Sequence, residues 1–581
     1  MFRLRNAARI PRMMNRVAPV SRTPAVWLSA ALLVFVSSFA CADAPAPAAR
    51  PGHAAIASAN FHATEAGLEV LAKGGNAFDA AIAVASTLSV VEPESSGIGG
   101  GFMAVLHRAD GREVFLDARE TAPAAVDPKD YLDKNGEPNR DTALNGPLSA
   151  GIPGEPAGLA WLAAHYGKLP LSASLAPAIR IARDGFELDG RLADAIAGRE
   201  QDIRRWPASV AKYLPDGKVP TKGQHWRDPD QARTLELLGA HGFDGFYRGE
   251  VAGKLVDAVH AAGGNWTAKD LAGYQVKERA PIVVDYRGYR VVTAPPSSSG
   301  GVALAEILNI LSGYDLGKLD EAHRTHLVIE AMRRAFRDHN DYLGDPDFVK
   351  MPLDMLLSPY YAAGLRQTIL PDKATPSSML PVSTGTDPGM HTTHFSVIDK
   401  DGNIASITLT VNYTMGSTFV AAGTGVLLND EMDDFALVPN KPNVYGLLGS
   451  VANAPAPGKR MLSSMTPSIV FGADRVGVIG SPGGSTIITQ VLEGVLAFID
   501  GKDAAGIVGQ KRYHHQYMPD RVDVEPGAFD PATADALTRM GHTLKERSPW
   551  GYMNVVTWDL KTNRLDAASD PRRESGLGKV Q

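Results

Sequence analysis

Apolar positions follow two rhythms along the chain. From His62 to Lys73 (HATEAGLEVLAK) they recur every three or four residues and stop at Gly74-Gly75, which predicts a helix closed by a glycine cap. Ala77 to Val90 (AFDAAIAVASTLSV) is apolar on nearly every face, the pattern of a buried helix. A glycine-dense stretch, Ser95 to Gly101, leads into a strand-like run through Leu106. Its spacing fits neither a dinucleotide fingerprint nor a P-loop. Residues 159–280 read as mostly helical. Residues 281–293 (PIVVDYRGYRVVT) read as a hairpin about Arg287-Gly288, 294–301 as a loop, and 302–311 and 330–342 as helices. From residue 391 the period changes to two. His394 to Ile398 alternates, Asp399 to Gly402 forms a turn, and Asn403 to Asn412 alternates again, which predicts a second hairpin. Strands are expected at 468–471, 476–479 and 552–558, and an amphipathic helix at 486–498. Helices thus dominate the first two thirds and strands the last third. The layer rule for such a mixture allows two sheets with helices outside.

Composition narrows this picture. The 581 residues are 44% hydrophobic and 21% charged, an ordinary globular balance that excludes disorder as the main state. Cys41 is the only cysteine, so neither a disulfide framework nor a cysteine-built metal site is available. Six arginines (Arg3, Arg5, Arg9, Arg12, Arg16 and Arg22) precede the first acidic residue, Asp43. They are followed by an apolar run, Ala25 to Ala40, and then Ala40-Cys41-Ala42. A basic region, an apolar region and small residues at a cut site describe a secretory signal over residues 1–42. A retained N-terminal anchor is the alternative, but the run is shorter than the ~20 residues of a membrane span. A lipid anchor on Cys41 is disfavoured because Ser38 stands where a branched aliphatic residue is usual. Residues 43–52 (DAPAPAARPG) read as a linker. Removing the six arginines from the 58 basic residues leaves 52 against 64 acidic ones, a net charge of −12. An acidic, cysteine-free exported body argues against nucleic-acid binding and fits a periplasmic or secreted enzyme.

Chemistry concentrates around the second hairpin. Alternation turns Ile407, Leu409 and Val411 one way and Thr408, Thr410 and Asn412 the other, putting Thr410 and Asn412 on one polar face beside the partner strand. Alone, that face could simply be solvated. Further segments add to it: LDARETAP (116–123), the Thr392-Thr393-His394 start, NDEMDDF (429–435), LSSMTP (462–467), GSPGGS (480–485) and Ser569-Asp570-Pro571-Arg572. With these motifs in order, the chain resembles the γ-glutamyltranspeptidases, or glutathione hydrolases, of the N-terminal-nucleophile hydrolases. The match runs from about His53 to the C-terminus.

The resemblance implies an α+β fold, a four-layer αββα sandwich with a helix-rich first segment. It implies self-cleavage between His391 and Thr392, giving a large chain (43–391) and a small one (392–581) that form a heterodimer. The new terminus would supply a hydroxyl nucleophile and an α-amine base on one residue, Thr392. An α-amine has a reference pKa near 8, so roughly a tenth or more is neutral between about pH 7 and 8. Thr410 would orient Thr392, and the backbone N–H groups of Gly483 and Gly484 would hold the oxyanion, each worth ~3–4 kcal/mol. Arg119 would take the substrate α-carboxylate with Ser463 and Ser464, and Asn412, Glu431 and Asp434 the α-ammonium. Residues 438–459 would form a lid, with Tyr445 over Asn412.

The expected partners are glutathione-like γ-glutamyl compounds and amino acid or peptide acceptors, with no membrane span once the signal is removed. No metal or cofactor is expected, because His514-His515 and the His323/His326 pair lack a third ligand at fitting spacing. Two other readings stay open. One is a cephalosporin (glutaryl) acylase of the same superfamily, whose substrate has no α-ammonium for Glu431 and Asp434. The other is an uncut, inactive homologue.

Overall fold

Two antiparallel sheets, stacked face to face, organise residues 50–380 and 392–581, the residues described in a computed structural model of the chain. The expected signal segment, most of the 43–52 linker and His391 lie outside the described residues. In chain order, the strands of the two sheets are β1 (Ala55–Ser58), β2 (Gly101–His107), β3 (Glu113–Ala118), β4 (Lys277–Arg279), β5 (Ile282–Tyr286), β6 (Tyr289–Thr293), β7 (Thr393–Ile398), β8 (Ile404–Thr410), β9 (Ser468–Phe471), β10 (Arg475–Ile479), β11 (Asn554–Asp559), β12 (Arg564–Ser569) and β13 (Leu577–Val580). The first sheet runs β13-β1-β7-β8-β2-β3-β4 and the second β12-β11-β10-β9-β6-β5. The packed helices are α1 (Phe61–Ala72), α2 (Ala77–Val91), α3 (Arg140–Leu144), α4 (Glu155–His165), α5 (Leu171–Asp184), α6 (Gly300–Leu311), α7 (Glu321–Tyr342) and α8 (Ile487–Ile499).

Strand alternation sorts the first sheet into two apolar faces. Ile56, Phe102, Ala104, Leu116, Phe395, Ile407 and Leu409 pack against α1, α2, α4 and α5. Ala55, Ala57, Met103, Val105, Phe115 and Ile398 turn the other way, into a core shared with Val470 and Val478 of the second sheet and with α6, α7 and α8. Ser396 on β7 bridges the sheets, its hydroxyl reaching the carbonyls of Val478 (3.3 Å) and Asn554 (2.9 Å). The layers are helix, sheet, sheet, helix: the αββα order expected from the resemblance.

Most predicted elements form at or near their expected bounds. The 281–293 hairpin turns at Arg287 (φ 52°) and Gly288 (φ 82°), the left-handed pair that a tight two-residue turn requires. Two expectations need correction. Helix α7 begins at Glu321, capped by Asp320, rather than at residue 330. β8 ends at Thr410 and Asn412 has a left-handed backbone (φ 74°), so strand alternation does not place Asn412 beside Thr410. Both sheets combine strands from before and after residue 391.

Candidate active site

Thr392 stands at the head of β7, in the interior of the first sheet, and is 5% exposed. Its hydroxyl lies 3.4 Å from that of Thr410, the last residue of the paired strand β8. The Thr410 hydroxyl also accepts the Asn412 N–H at 2.7 Å, so a turn rather than a shared strand face brings Asn412 to the site. The Asn412 side chain donates to the Asp430 carbonyl at 2.9 Å, and the Asp430 carboxylate takes the Tyr413 N–H at 2.9 Å. The glycine-dense stretch packs behind this corner. A Cβ on Gly100 would lie 2.0 Å from the Thr410 carbonyl oxygen, so only glycine fits there.

The GSPGGS segment turns from β10 into α8. The Thr486 hydroxyl donates to the Gly483 carbonyl (2.7 Å), and the Gln490 side chain donates to that of Pro482 (2.9 Å). Gly483 (φ 136°) and Gly484 (φ 56°) hold left-handed angles. Neither of their N–H groups has an acceptor among the described residues. Tyr445 closes this side. Its ring lies so near Gly484 that a Cβ there would come within 2.4 Å, and its hydroxyl donates to the Asn412 carbonyl at 2.7 Å.

Arg119 follows β3 and is 1% exposed. Asp117 accepts the Arg119 N–H (3.1 Å) and is itself held by Arg279 and Arg460, while the Tyr274 hydroxyl donates to the Arg119 carbonyl. The guanidinium contacts Glu431 (2.6 Å), Asp434 (2.5 Å) and Glu120 (3.4 Å), and donates to the Met461 carbonyl (3.2 Å). One cation thus faces three carboxylates. Burial pushes the Glu431 carboxyl up to about 8 and that of Glu120 to about 7, against the pull of Arg119. Burial also raises Asp434, with Arg119 again opposing. Burial alone would lower Arg119, yet its three acidic neighbours hold it above the ordinary arginine value. Ser463 is fixed against the 294–301 loop: its N–H donates to the Ser297 carbonyl (3.0 Å), and its carbonyl accepts the Ser299 N–H (2.8 Å).

One cavity gathers ten of the residues singled out in the sequence: Arg119, Thr392, Thr410, Asn412, Glu431, Asp434, Tyr445, Ser463, Ser464 and Gly484. Gly483 is in the adjoining turn but not in the wall, and His391 lies outside the described residues. Sequence reasoning missed the apolar part of the wall, Leu447, Met465 and Ile487, although Met465 lies inside the LSSMTP motif. It also missed Glu120 and Asn443, whose amide donates to Asp434 at 3.2 Å.

Elsewhere, Glu330 and His542 come together with His326, a trio that spacing alone did not reveal. His326 and His542 bond each other (2.8 Å), His326 also bonds the Leu370 carbonyl (2.7 Å), and Glu330 is held by Arg333 and Arg334. The two guanidinium charges oppose a further cation there. No helix among the described residues is long and apolar enough to cross a membrane.

The layered fold and a cavity headed by a threonine on an interior strand define the class: an N-terminal-nucleophile hydrolase. The Gamma-glutamyltranspeptidase family model matches residues 63–580, and the chain belongs to that family. The chain is 43% identical to a glutathione hydrolase proenzyme of Pseudomonas sp. (strain A14), over 90% of this chain and 93% of that one. It is 39% identical to the glutathione hydrolase proenzyme of Escherichia coli (strain K12), over 90% and 91%. Among solved structures, a cephalosporin acylase from Bacillus halodurans superposes with a TM-score of 0.80 at 29% identity, over 93% of this chain and 99% of that one.

Proposed function

We propose that the protein is an exported, self-cleaving γ-glutamyltransferase and glutathione hydrolase. The observation that carries this reading is the pairing of a buried arginine with a buried Glu431 and a half-buried Asp434 in the cavity that Thr392 heads. A γ-glutamyl group bears an α-carboxylate and an α-ammonium on one carbon. Arg119, with Ser463 and Ser464, receives the first as a bidentate ion pair. Glu431, Asp434 and Asn412 receive the second. Both ions would take over partners that Arg119, Glu431 and Asp434 supply to one another.

Cleavage of the His391–Thr392 bond yields chains 43–391 and 392–581 and converts the Thr392 amide nitrogen into an amine. That amine takes the hydroxyl proton as Thr392 attacks the γ-amide carbonyl, and Thr410 orients the attacking oxygen. Negative charge collects on the former carbonyl oxygen, where the N–H groups of Gly483 and Gly484 stabilise it; their lack of acceptors among the described residues supports this role. The amine of the departing peptide takes the proton and leaves. Water, or the amine of an amino acid or peptide, then attacks the γ-glutamyl ester and restores Thr392. Tyr445 and the lid segment 438–459 cover the site during these steps. The basic and apolar N-terminus supports export to the periplasm or the medium, followed by loss of residues 1–42.

The likeness to a cephalosporin acylase supports a second reading, in which a glutaryl group is the donor. That group has no ammonium, and Glu431 and Asp434 would face it with no cation to bind. Rates on γ-glutamyl- and glutaryl-anilides separate the two. The γ-glutamyl compound is expected to react at least ~100-fold faster, the scale of a lost charge-assisted contact; a preference for the glutaryl compound overturns the proposal.

A further inference from the structure

The lid is held from beneath by two consecutive aspartates. The Asp433 carboxylate takes the Val444 N–H at 2.8 Å, and Asp434 takes the Asn443 side-chain amide at 3.2 Å. Asn443 in turn accepts the N–H groups of Tyr445 (3.0 Å) and Leu447 (3.1 Å), which tightens residues 443–447 into a turn. The turn presents Tyr445 to Asn412 and Gly484. Asp433 is fully buried, and its remaining partner comes from a distant stretch of sequence: its other oxygen pairs with Arg140, the first residue of α3. Glu137, three residues earlier, pairs with Lys441 of the lid at 3.0 Å. An apolar cluster that includes Tyr131, Ala143, Met432 and Phe435 seats this stretch against the acidic turn. One short segment, Glu137 to Arg140, therefore engages the lid directly through Lys441 and, by way of Asp433, at Val444.

We propose that Glu137–Arg140 is a latch that keeps the lid closed over the donor cavity, and that Arg140 is a positioning residue for the reaction. The proposal rests on the γ-glutamyl reading of the Thr392 cavity. Arg140 acts through Asp433, and Asp433 through the Val444 N–H, so that the Tyr445 ring is fixed as one wall of the site. Without the guanidinium, Asp433 is a buried carboxylate with a single N–H partner. The segment relieves that cost by opening to water. The donor then meets a looser wall, which weakens its binding while leaving the chemistry at Thr392 intact.

The test pairs Arg140→Met with the charge-retaining Arg140→Lys, using the full processed protein. Hydrogen exchange read by mass spectrometry should show the Val444 amide exchanging roughly tenfold faster in Arg140→Met. KM for a γ-glutamyl anilide should rise by a similar factor while kcat stays within about twofold, and Arg140→Lys should recover much of both. Lys441→Met, a surface change that spares Asp433, should move both readouts less but in the same direction, and serves if Arg140→Met does not fold. Unchanged exchange in residues 438–449, or faster exchange at unchanged KM, overturns the latch. A wild-type protein that forms no γ-glutamyl adduct on Thr392 instead sinks the catalytic reading, and exchange at Val444 still reports on the latch.

Discussion

Three residues carry the proposed chemistry: Thr392, Arg119 and Glu431. Thr392→Ala removes the proposed nucleophilic hydroxyl, so one uncut polypeptide and no turnover are expected on a denaturing gel and in an anilide assay. Glu431→Gln keeps the shape and removes the charge that meets the substrate ammonium. KM for the donor should rise about 10- to 100-fold, the scale of a charge-assisted hydrogen bond, with a smaller change in kcat. The pH dependence follows from burial, which pushes the Glu431 carboxyl up to about 8. Binding an ammonium favours the ionised form, so acidification below about 8 protonates Glu431 and weakens capture of the donor. The Thr392 amine must also be neutral. The logarithm of kcat/KM should therefore fall more steeply with acid in the wild type than in Glu431→Gln, by about one proton. Equal slopes would remove Glu431 from donor binding. These roles were legible in the sequence only through motifs. No local pattern ties Arg119 to residues more than 300 positions away, and Glu431 reads in isolation as a solvated acidic turn.

Among the elements, the tight turns hold the most sequence information. The 281–293 hairpin could be read directly, because Arg287-Gly288 supplies the left-handed pair its turn needs. Helix α2 was legible from its continuous apolar run. The position of Asn412 was not, since alternation was carried two residues past the end of β8 into a turn that Thr410 and Asp430 hold. Asp433 was also missed, because its importance comes from Arg140 and Val444, which are remote in sequence. The GSPGGS turn gives the prediction at this scale. Gly484 combines a left-handed angle with contact against the Tyr445 ring, so Gly484→Ala must move the turn or the lid. A displaced oxyanion donor costs ~10²–10³ in kcat. Steady-state kinetics of purified Gly484→Ala should show that loss, and kcat within threefold of the wild type would clear Gly483-Gly484 of the oxyanion role.

At the scale of the molecule, the mixed sheets decide what a cut at residue 391 can do. In the first sheet β1 lies between β13 and β7, and β8 lies between β7 and β2, so strands from before residue 391 pair at three places with strands from after it. Separating the chains would break those ladders and expose both apolar cores. The two chains should therefore travel as one species in native mass spectrometry and part only in denaturant; free small chain in native buffer would contradict this arrangement. Such interleaving is hidden in the sequence, because register between distant strands leaves no local pattern. In the proposed reaction Thr392 becomes a chain terminus and then carries the acyl group. Peptide mass spectrometry of the purified protein, after brief exposure to glutathione and an acid quench, reads both events at once. A small chain beginning at Thr392, with the mass of one γ-glutamyl group on that residue, is the expected result. A different first residue, or a γ-glutamyl group held elsewhere, would contradict it.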